Sequence, residues 1–140
     1  MSPKLPRVNV DILVKKGNKV LLGFLTKEWL YQNTQVYGVP GRDLKFNESI
    51  GEAVKRNIKE EIGCKVINYK IISVNANYEF NNHYIGIGLI ANIKGKIKLL
   101  KPKDWEKWQW VDIKKIPQNL FPATKNLIRC FLENKFNISE

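Results

Sequence analysis

The stretch SIGEAVKRNIKEEIG, residues 49–63, is the clearest helix signal in the chain and decides the fold. It begins with Ser49 and has Glu52 three residues later, the pair that forms a capping box at a helix N-terminus. Isoleucine or valine then recurs at every fourth position, and Gly63 is a typical helix end. The stretch therefore predicts an amphipathic helix over residues 49–62.

Acidic residues occupy unusual places on this predicted helix. At 100° per residue, Glu61 falls inside the apolar stripe, and Glu60 lies at its edge beside Asn57. A carboxylate that points toward a core is costly unless a counter-charge compensates it. Glu48, directly before the cap, can reach the same side. The counter-charge is either a Lys or Arg in a structural salt bridge or a divalent cation, and Mg²⁺ prefers such oxygen ligands.

The remainder of the chain predicts mainly strands. Their expected positions are residues 7–14, 19–25, 36–39, 65–79, 83–93 and 107–113. The first two strands flank the turn signal Gly17-Asn18 and predict a hairpin. An amphipathic helix is expected over residues 123–136. The order β-β-β-α-β-β-β-α predicts an α/β or α+β fold with a mixed sheet between helices.

Composition limits the classes of partner. The 140 residues suit one domain over residues 1–140. Lys and Arg outnumber Asp and Glu by 24 to 13, and the formal charge of +11 favours an anionic partner. The lysines are spread along the chain, which favours a small nucleotide over nucleic acid. No apolar run has the length of a membrane span, and two cysteines without a disulfide framework favour a reducing, cytoplasmic compartment.

Residues 38–64 resemble the Nudix box of the Nudix (MutT-like) hydrolase family, G-x5-E-x7-R-E-U-x-E-E-x-G-U, where U is aliphatic. The matching positions keep the spacing of that pattern; they are Glu48, Arg56, Ile58, Glu60, Glu61, Gly63 and Cys64. The preceding Tyr37–Gly41 segment is similar to the lead-in of the family. A weaker similarity, in the first strands and at His83-Tyr84, is to the GDP-mannose mannosyl hydrolase branch.

The sequence departs from the box at two positions. Arg42 stands where the pattern begins with Gly, although Gly41 precedes it. Asn57 stands where most members have a Glu that binds metal and often acts as the base. An amide is a weaker ligand and cannot accept a proton as a base. The GDP-mannose branch also lacks an acid there and takes its base from elsewhere.

The resemblance implies a hydrolase that uses Mg²⁺ or Mn²⁺ to cleave a nucleoside diphosphate linked to another moiety. Its substrate would be a nucleotide sugar such as GDP-mannose, or a nucleoside triphosphate. The implied metal ligands are Glu60, Glu61, Glu48 and the backbone carbonyl of Gly41. Arg56 would orient the glutamates, because its planar fork suits bidentate pairing with a carboxylate.

Other roles stay open at this stage. The general base is predicted to be His83, whose ordinary pKa suits proton transfer, or Glu106, which lies in the loop before a late strand, with Asp104 and Glu79 as weaker candidates. Arg42, Trp29 and Trp108 are the predicted substrate contacts, with core packing as the alternative for each tryptophan. The alternative to an enzyme is a catalytically weak module of the same fold that binds nucleotide or RNA. The oligomeric state is open, with a homodimer among the alternatives.

Overall fold

The computed structural model describes residues 4–138, so the first three and last two residues of the predicted domain lie outside that description. The elements follow the predicted order. The strands are β1 (Arg7–Lys16), β2 (Lys19–Leu25), β3 (Tyr37–Gly38), β4 (Lys65–Glu79), β5 (Asn82–Lys94) and β6 (Trp105–Asp112). The α-helices are α1 (Ile50–Ile62) and α2 (Pro122–Glu133), and two 3-10 turns cover Lys27–Trp29 and Ile113–Lys115.

The predicted helix is confirmed as α1. The Ser49 side chain accepts from the backbone N–H of Glu52, and the Glu52 carboxylate accepts from the backbone N–H of Ser49, so the capping box is complete. Gly63 ends the helix in the left-handed conformation, with φ of 70°. Helix α1 therefore begins and ends where its local sequence dictates.

The sheet is mixed, with the order β3-β2-β1-β5-β4 and β6 paired to β2. The predicted hairpin between β1 and β2 is correct only at its turn, where Lys15 pairs with Val20. Over the rest of its length, β1 runs parallel to β5. Residues 40–44 occupy the other edge of β1, because the N–H groups of Val10 and Ile12 donate to carbonyls in that loop. The loop thus takes the edge that a full hairpin would use.

The two helices cover opposite faces of this sheet. Helix α1 packs on the face that carries Val10, Ile12 and Val14 of β1. Helix α2 packs through Leu127 and Ile128 on the opposite face, which carries Leu13 of β1. Successive side chains of a strand point to opposite faces, so β1 contributes to both layers. The predicted α+β architecture, with a mixed sheet between helices, is confirmed.

Helix α2 is shorter than the predicted span of residues 123–136. It ends at Glu133, because Asn134 adopts a left-handed conformation with φ of 54° and its N–H donates to the Cys130 carbonyl. Asparagine is one of the few residues that adopt this cap readily. Within residues 4–138, neither helix is long and apolar enough to cross a membrane.

Candidate active site

The loop of residues 40–44 is fixed against β1 by three backbone hydrogen bonds. The N–H of Val10 donates to the Arg42 carbonyl at 2.7 Å, and the N–H of Leu44 donates to the Val8 carbonyl at 2.9 Å. Gly41 has φ of +125°, and a Cβ at this position would overlap the carbonyl oxygen of Val10. Gly41 therefore supplies the conformation that the loop needs, and Arg42 can follow it without strain.

Beside this loop lies a cavity of about 480 Å³, here called the central cavity. It is bounded by β1, by the end of α1, by the end of β4 and by the start of α2. Its lining includes Asp11, Trp29, Gly41, Arg42, Glu61, Asn77, Glu79, Phe80, Asp104, Trp105, Phe121 and Thr124. Of the residues predicted from the sequence, it brings together Gly41, Arg42, Glu61 and Trp29.

Glu61 is the buried acid of this cavity. It is only 3% exposed, and its Oε1 accepts a long hydrogen bond from the Gly41 N–H at 3.4 Å. Its Oε2 has no hydrogen-bond partner among the described residues. Burial raises the pKa of Glu61 to about 7, although Lys101 and Arg42 lie near enough to oppose that shift. A positive charge or a hydrogen-bond donor placed beside Oε2 would therefore stabilise the ionised carboxylate.

Arg56 holds the other two predicted metal ligands on the outer side of the loop. Its guanidinium forms two hydrogen bonds with Glu48, at 2.7 and 3.0 Å, and one with Glu60 at 3.3 Å. Its Nη2 also donates to the Asp43 carbonyl at 2.8 Å. None of Arg56, Glu48 and Glu60 is among the residues that line the central cavity. Arg56 thus links the glutamates to the loop, and Glu60 remains half-exposed.

Asn57 makes local hydrogen bonds that the usual Glu of the box could not make. Its side chain is 2% exposed, and Nδ2 donates to the Ala53 carbonyl at 2.8 Å. The same Nδ2 lies 3.5 Å from the Asp43 carbonyl oxygen. A carboxylate has no hydrogen to donate to either oxygen. The amide of Asn57 therefore fits this buried position better than a carboxylate would.

The donor set can accommodate a divalent cation at Glu61, but it is not a preformed cage. Among residues 4–138, no three His, Cys, Asp or Glu side chains converge as metal ligands. The Oε2 of Glu61, buried and without a partner, is the kind of oxygen that Mg²⁺ prefers. Glu60 is less available as a metal ligand, because its carboxylate is paired with Arg56.

Arg42 and Trp29 form the outer wall of the central cavity. The Arg42 guanidinium lies over the Trp29 ring, 5.2 Å from its centroid, and 3.8 Å from the Asp104 carboxylate. Asp104 also accepts a hydrogen bond from Trp29 Nε1 at 2.8 Å. Asp104 therefore positions both predicted substrate contacts.

Three residues predicted from the sequence lie elsewhere. His83 stacks on Tyr78, with ring centroids 4.5 Å apart, and lines a separate cavity. Glu106 is exposed on β6 and accepts from Gln35 at 3.2 Å. Trp108 packs against Trp105 at 4.2 Å, and its ring lies where a Cβ on Gly23 would be. The core-packing alternative therefore describes Trp108, and Trp105 is the tryptophan of β6 that lines the central cavity.

Sequence reasoning named Glu79 as a weaker candidate for the base but missed the polar face of β4 to which it belongs. Ser73, Asn75, Asn77 and Glu79 alternate along the strand, and all four are buried. The signal was available, because polar residues at every second position of a strand share one face. Since Tyr78 on the opposite face is 75% exposed, β4 points its polar side inward.

Comparisons with known proteins agree with this architecture. A family model described as NUDIX domain matches residues 5–131. The chain is 29% identical over 122 residues to an ADP-ribose pyrophosphatase of Methanocaldococcus jannaschii, covering 86% of this chain and 70% of that protein. It is 22% identical over 125 residues to an 8-oxo-dGTP diphosphatase of Buchnera aphidicola, covering 89% of this chain and 91% of that protein.

Solved structures show the same fold. A MutT NUDIX hydrolase from Burkholderia pseudomallei superposes with a TM-score of 0.81 at 22% identity, covering 90% of this chain and 98% of that one. A MutT protein from Methanosarcina mazei superposes with a TM-score of 0.80 at 20% identity, covering 96% and 98%.

Proposed function

Since the chain belongs to the NUDIX domain family, we propose that it hydrolyses a nucleoside diphosphate linked to another moiety, with Mg²⁺ or Mn²⁺ as cofactor. The observation that carries this proposal is Glu61, a buried carboxylate with an unpartnered oxygen at the edge of a nucleotide-sized cavity. Enzyme sites tolerate such a costly group because it compensates a charge that arrives with the ligand. The names of the two relatives support the same reaction class.

Residues in and beside the cavity have different roles in this proposal. Glu61, the Gly41 carbonyl and Glu60 would hold the cation. A bound divalent cation supplies positive charge against the diphosphate oxygens and polarises the attacking water. Arg42 would bind the diphosphate from the outer wall, held in place by Asp104. Arg56 is a positioning residue, because it fixes Glu48, Glu60 and the loop without lining the cavity.

The substrate is proposed only as a class. ADP-ribose, 8-oxo-dGTP and GDP-mannose are the first compounds to test, since two appear in the names of relatives and the third follows from the sequence resemblance. Each contains a diphosphate or triphosphate linked to a nucleoside. Product identity would show which bond breaks, because release of a nucleoside diphosphate differs from release of a monophosphate.

One observation favours the alternative of a nucleotide-binding module with little catalysis. Arg56 engages Glu48 and Glu60, and Asn57 offers only an amide, so Glu61 is the one predicted metal-binding glutamate that lines the cavity. A site with one charged ligand would bind Mg²⁺ weakly. The same substrate panel decides between the two functions.

The test is a hydrolysis panel with Mg²⁺ and with Mn²⁺, run on the wild type, Glu61→Gln and Glu133→Gln. Glu133 lies at the exposed end of α2 and provides the same chemical change away from the cavity. We expect Glu61→Gln to abolish turnover and to raise the Tm without metal, because an uncompensated buried charge is removed. Nucleotide binding without any hydrolysis would reject the enzyme and support the binding module.

A further inference from the structure

The α2 side of the central cavity has an acidic floor that the proposed chemistry does not use. Glu79, the last residue of β4, is 6% exposed, and the backbone N–H of Ala123 lies near enough to its carboxylate to oppose the rise of its pKa. Its Oε1 is buried and has no hydrogen-bond partner within residues 4–138. Asp11 of β1 lies near enough to raise the pKa of Glu79, which burial and this second charge bring to about 7. Glu79 Oε1 is therefore available to accept a hydrogen bond from a ligand.

Gly86 makes space for this floor. A Cβ at Gly86 would lie 2.6 Å from Asp11 Oδ2 and 3.2 Å from Asn77 Nδ2, so only glycine leaves both side chains where they are. The oxygen of Asn77 is already engaged, because it accepts from Asn126 Nδ2 at 2.7 Å. The free acceptors of the floor are therefore carboxylate oxygens.

Aromatic rings form the walls above the floor. Phe80 lies between Trp29 and Phe121, with ring centroids 6.0 Å from each. All three rings line the central cavity, and Phe80 is 47% exposed. A flat ring can stack on such walls, and base–aromatic stacking contributes about 1–3 kcal/mol. A sugar has hydroxyl donors for the floor but no aromatic face for the walls.

We propose that this floor binds the nucleobase of the substrate and selects guanine, whose adjacent ring N–H and amino N–H groups donate to the Glu79 carboxylate. Guanine presents two neighbouring donors to one carboxylate. Adenine presents an amino group beside a ring acceptor, and uracil presents one N–H between two carbonyls. This inference rests on the proposed function, since it assumes a nucleotide in the cavity.

The charged residues around the floor are consistent with a ligand that is neutral and donates hydrogen bonds. The other charged residues that line the cavity are Arg7, Arg42, Asp43, Glu61 and Asp104. Among the described side chains, none forms an ion pair with Glu79 or Asp11 within 4.0 Å, whereas Arg42 pairs with Asp104. A metal ion is the alternative occupant of the floor, and a titration with Mg²⁺ alone tests for it.

The test compares GMP, IMP and XMP, which carry an amino group, a hydrogen and an oxygen at the same ring position. Monophosphates have no diphosphate bond, so calorimetric titration measures recognition of the base apart from hydrolysis. We expect the wild type to bind GMP about tenfold more tightly than IMP, which corresponds to one charge-assisted hydrogen bond. We expect Glu79→Gln to reduce that ratio to about two or less and to shift preference toward XMP. Glu133→Gln, the same change away from the cavity, should keep the wild-type ratio.

Equal binding of GMP and IMP by the wild type would overturn the proposal without requiring any variant to fold. Tighter binding of AMP than of GMP would also overturn it. So would a titration with Mg²⁺ alone that saturates in the wild type and is lost in Glu79→Gln, because the acids would then hold a cation. Failure of the proposed function is distinct, since hydrolysis would be missing while the preference for GMP persisted.

Discussion

Arg56 and Glu48 form a two-pronged ion pair across the start of α1. Arg56 Nε lies 2.7 Å from Glu48 Oε2, and Nη2 lies 3.0 Å from Glu48 Oε1. The pair is sheltered, with side-chain exposures of 19% and 12%. Hydrogen bonds from Arg56 are the main reason that the pKa of Glu48 falls to about 2. Because Arg56 Nη2 also donates to the Asp43 carbonyl, this pair also fixes the loop beside the cavity.

We expect Arg56→Lys to break this arrangement. A lysine ammonium cannot contact both Glu48 oxygens and the Asp43 carbonyl at once. The Tm should fall by about 2–4 °C, a typical shift for the loss of one strong interaction in a domain of this size. Arg129→Lys is the matched control, because Arg129 forms an exposed pair with Glu133 at 3.0 Å. Equal Tm values for the two variants would contradict a structural role for the sheltered pair.

Gly41→Ala tests the loop conformation. Gly41 has φ of +125°, and the new Cβ would meet the Val10 carbonyl, a backbone atom that cannot rotate away. We expect a loss of about 3 kcal/mol or more in denaturant unfolding, with weaker nucleotide binding. Gly17→Ala is the control, since Gly17 has φ of +61° and open space around its Cβ position. Its loss should be about 1 kcal/mol, and equal losses would show that the loop tolerates a side chain.

Asn57→Glu should destabilise the protein in the absence of metal. The buried amide nitrogen of Asn57 faces two carbonyl oxygens, which a carboxylate would meet with like partial charge. Thermal unfolding in EDTA should show a loss of about 2 kcal/mol or more, and excess Mg²⁺ should recover part of it. Asn57→Ala removes the donor without adding charge and should show no such recovery. A variant as stable as the wild type in EDTA would mean that the loop adjusts freely.

Stability should fall as the pH rises from about 5 to 8. Burial raises the pKa of Asp11, Glu61 and Glu79 to about 7 in the folded protein, above the ordinary value of 3.8 for the aspartate and 4.5 for the two glutamates. The folded state therefore holds protons that the unfolded state has released, so deprotonation above pH 5 favours unfolding. Glu48 acts in the opposite sense, but only at lower pH, because its pKa is lowered.

The measurement for this prediction is Tm against pH for the wild type and Glu79→Gln. The variant lacks one of the three acids whose pKa is raised, so its slope between pH 5 and 8 should be smaller. Glu133→Gln should keep the slope of the wild type, because the pKa of Glu133 is lowered rather than raised. If the slope of Tm against pH is the same in Glu79→Gln as in the wild type, groups other than Glu79 cause the pH dependence.

The local parts of the fold were predictable from sequence. Helix α1 was placed correctly because its cap, its apolar repeat and its terminal Gly63 act over a few residues. The partner of β1 could not be predicted in the same way. Nothing within residues 7–25 shows that the loop at residues 40–44 takes one edge of β1 and β5 takes the other. Pairing between distant segments depends on competition for edges, which a local pattern does not contain.

The site shows the same limit. Glu61 was identified because helical geometry fixes which residues share a face. The choice among the acids near residue 105 was beyond local reasoning. Strand β6 starts at Trp105, which pairs with Leu25. The Trp105 side chain is buried and lines the cavity, whereas the side chain of Glu106 is exposed on the other face. Asp104 lies just before the strand and reaches Arg42 and Trp29. A shift of one residue in that register would exchange the inward and outward side chains.

The parallel pairing of β1 with β5 has a consequence for how the protein folds. Arg7 pairs with Tyr84 and Val14 with Ala91, so the two partners are separated by more than half of the chain. Closing such a long loop is slow compared with forming α1 or the β4–β5 hairpin. Asp11 lies near Glu79 only after β1 has paired with β5, because Asp11 belongs to β1 and Glu79 belongs to the β4–β5 hairpin. Nucleotide recognition should therefore be among the last properties that a refolding chain regains, well after its helical signal has returned.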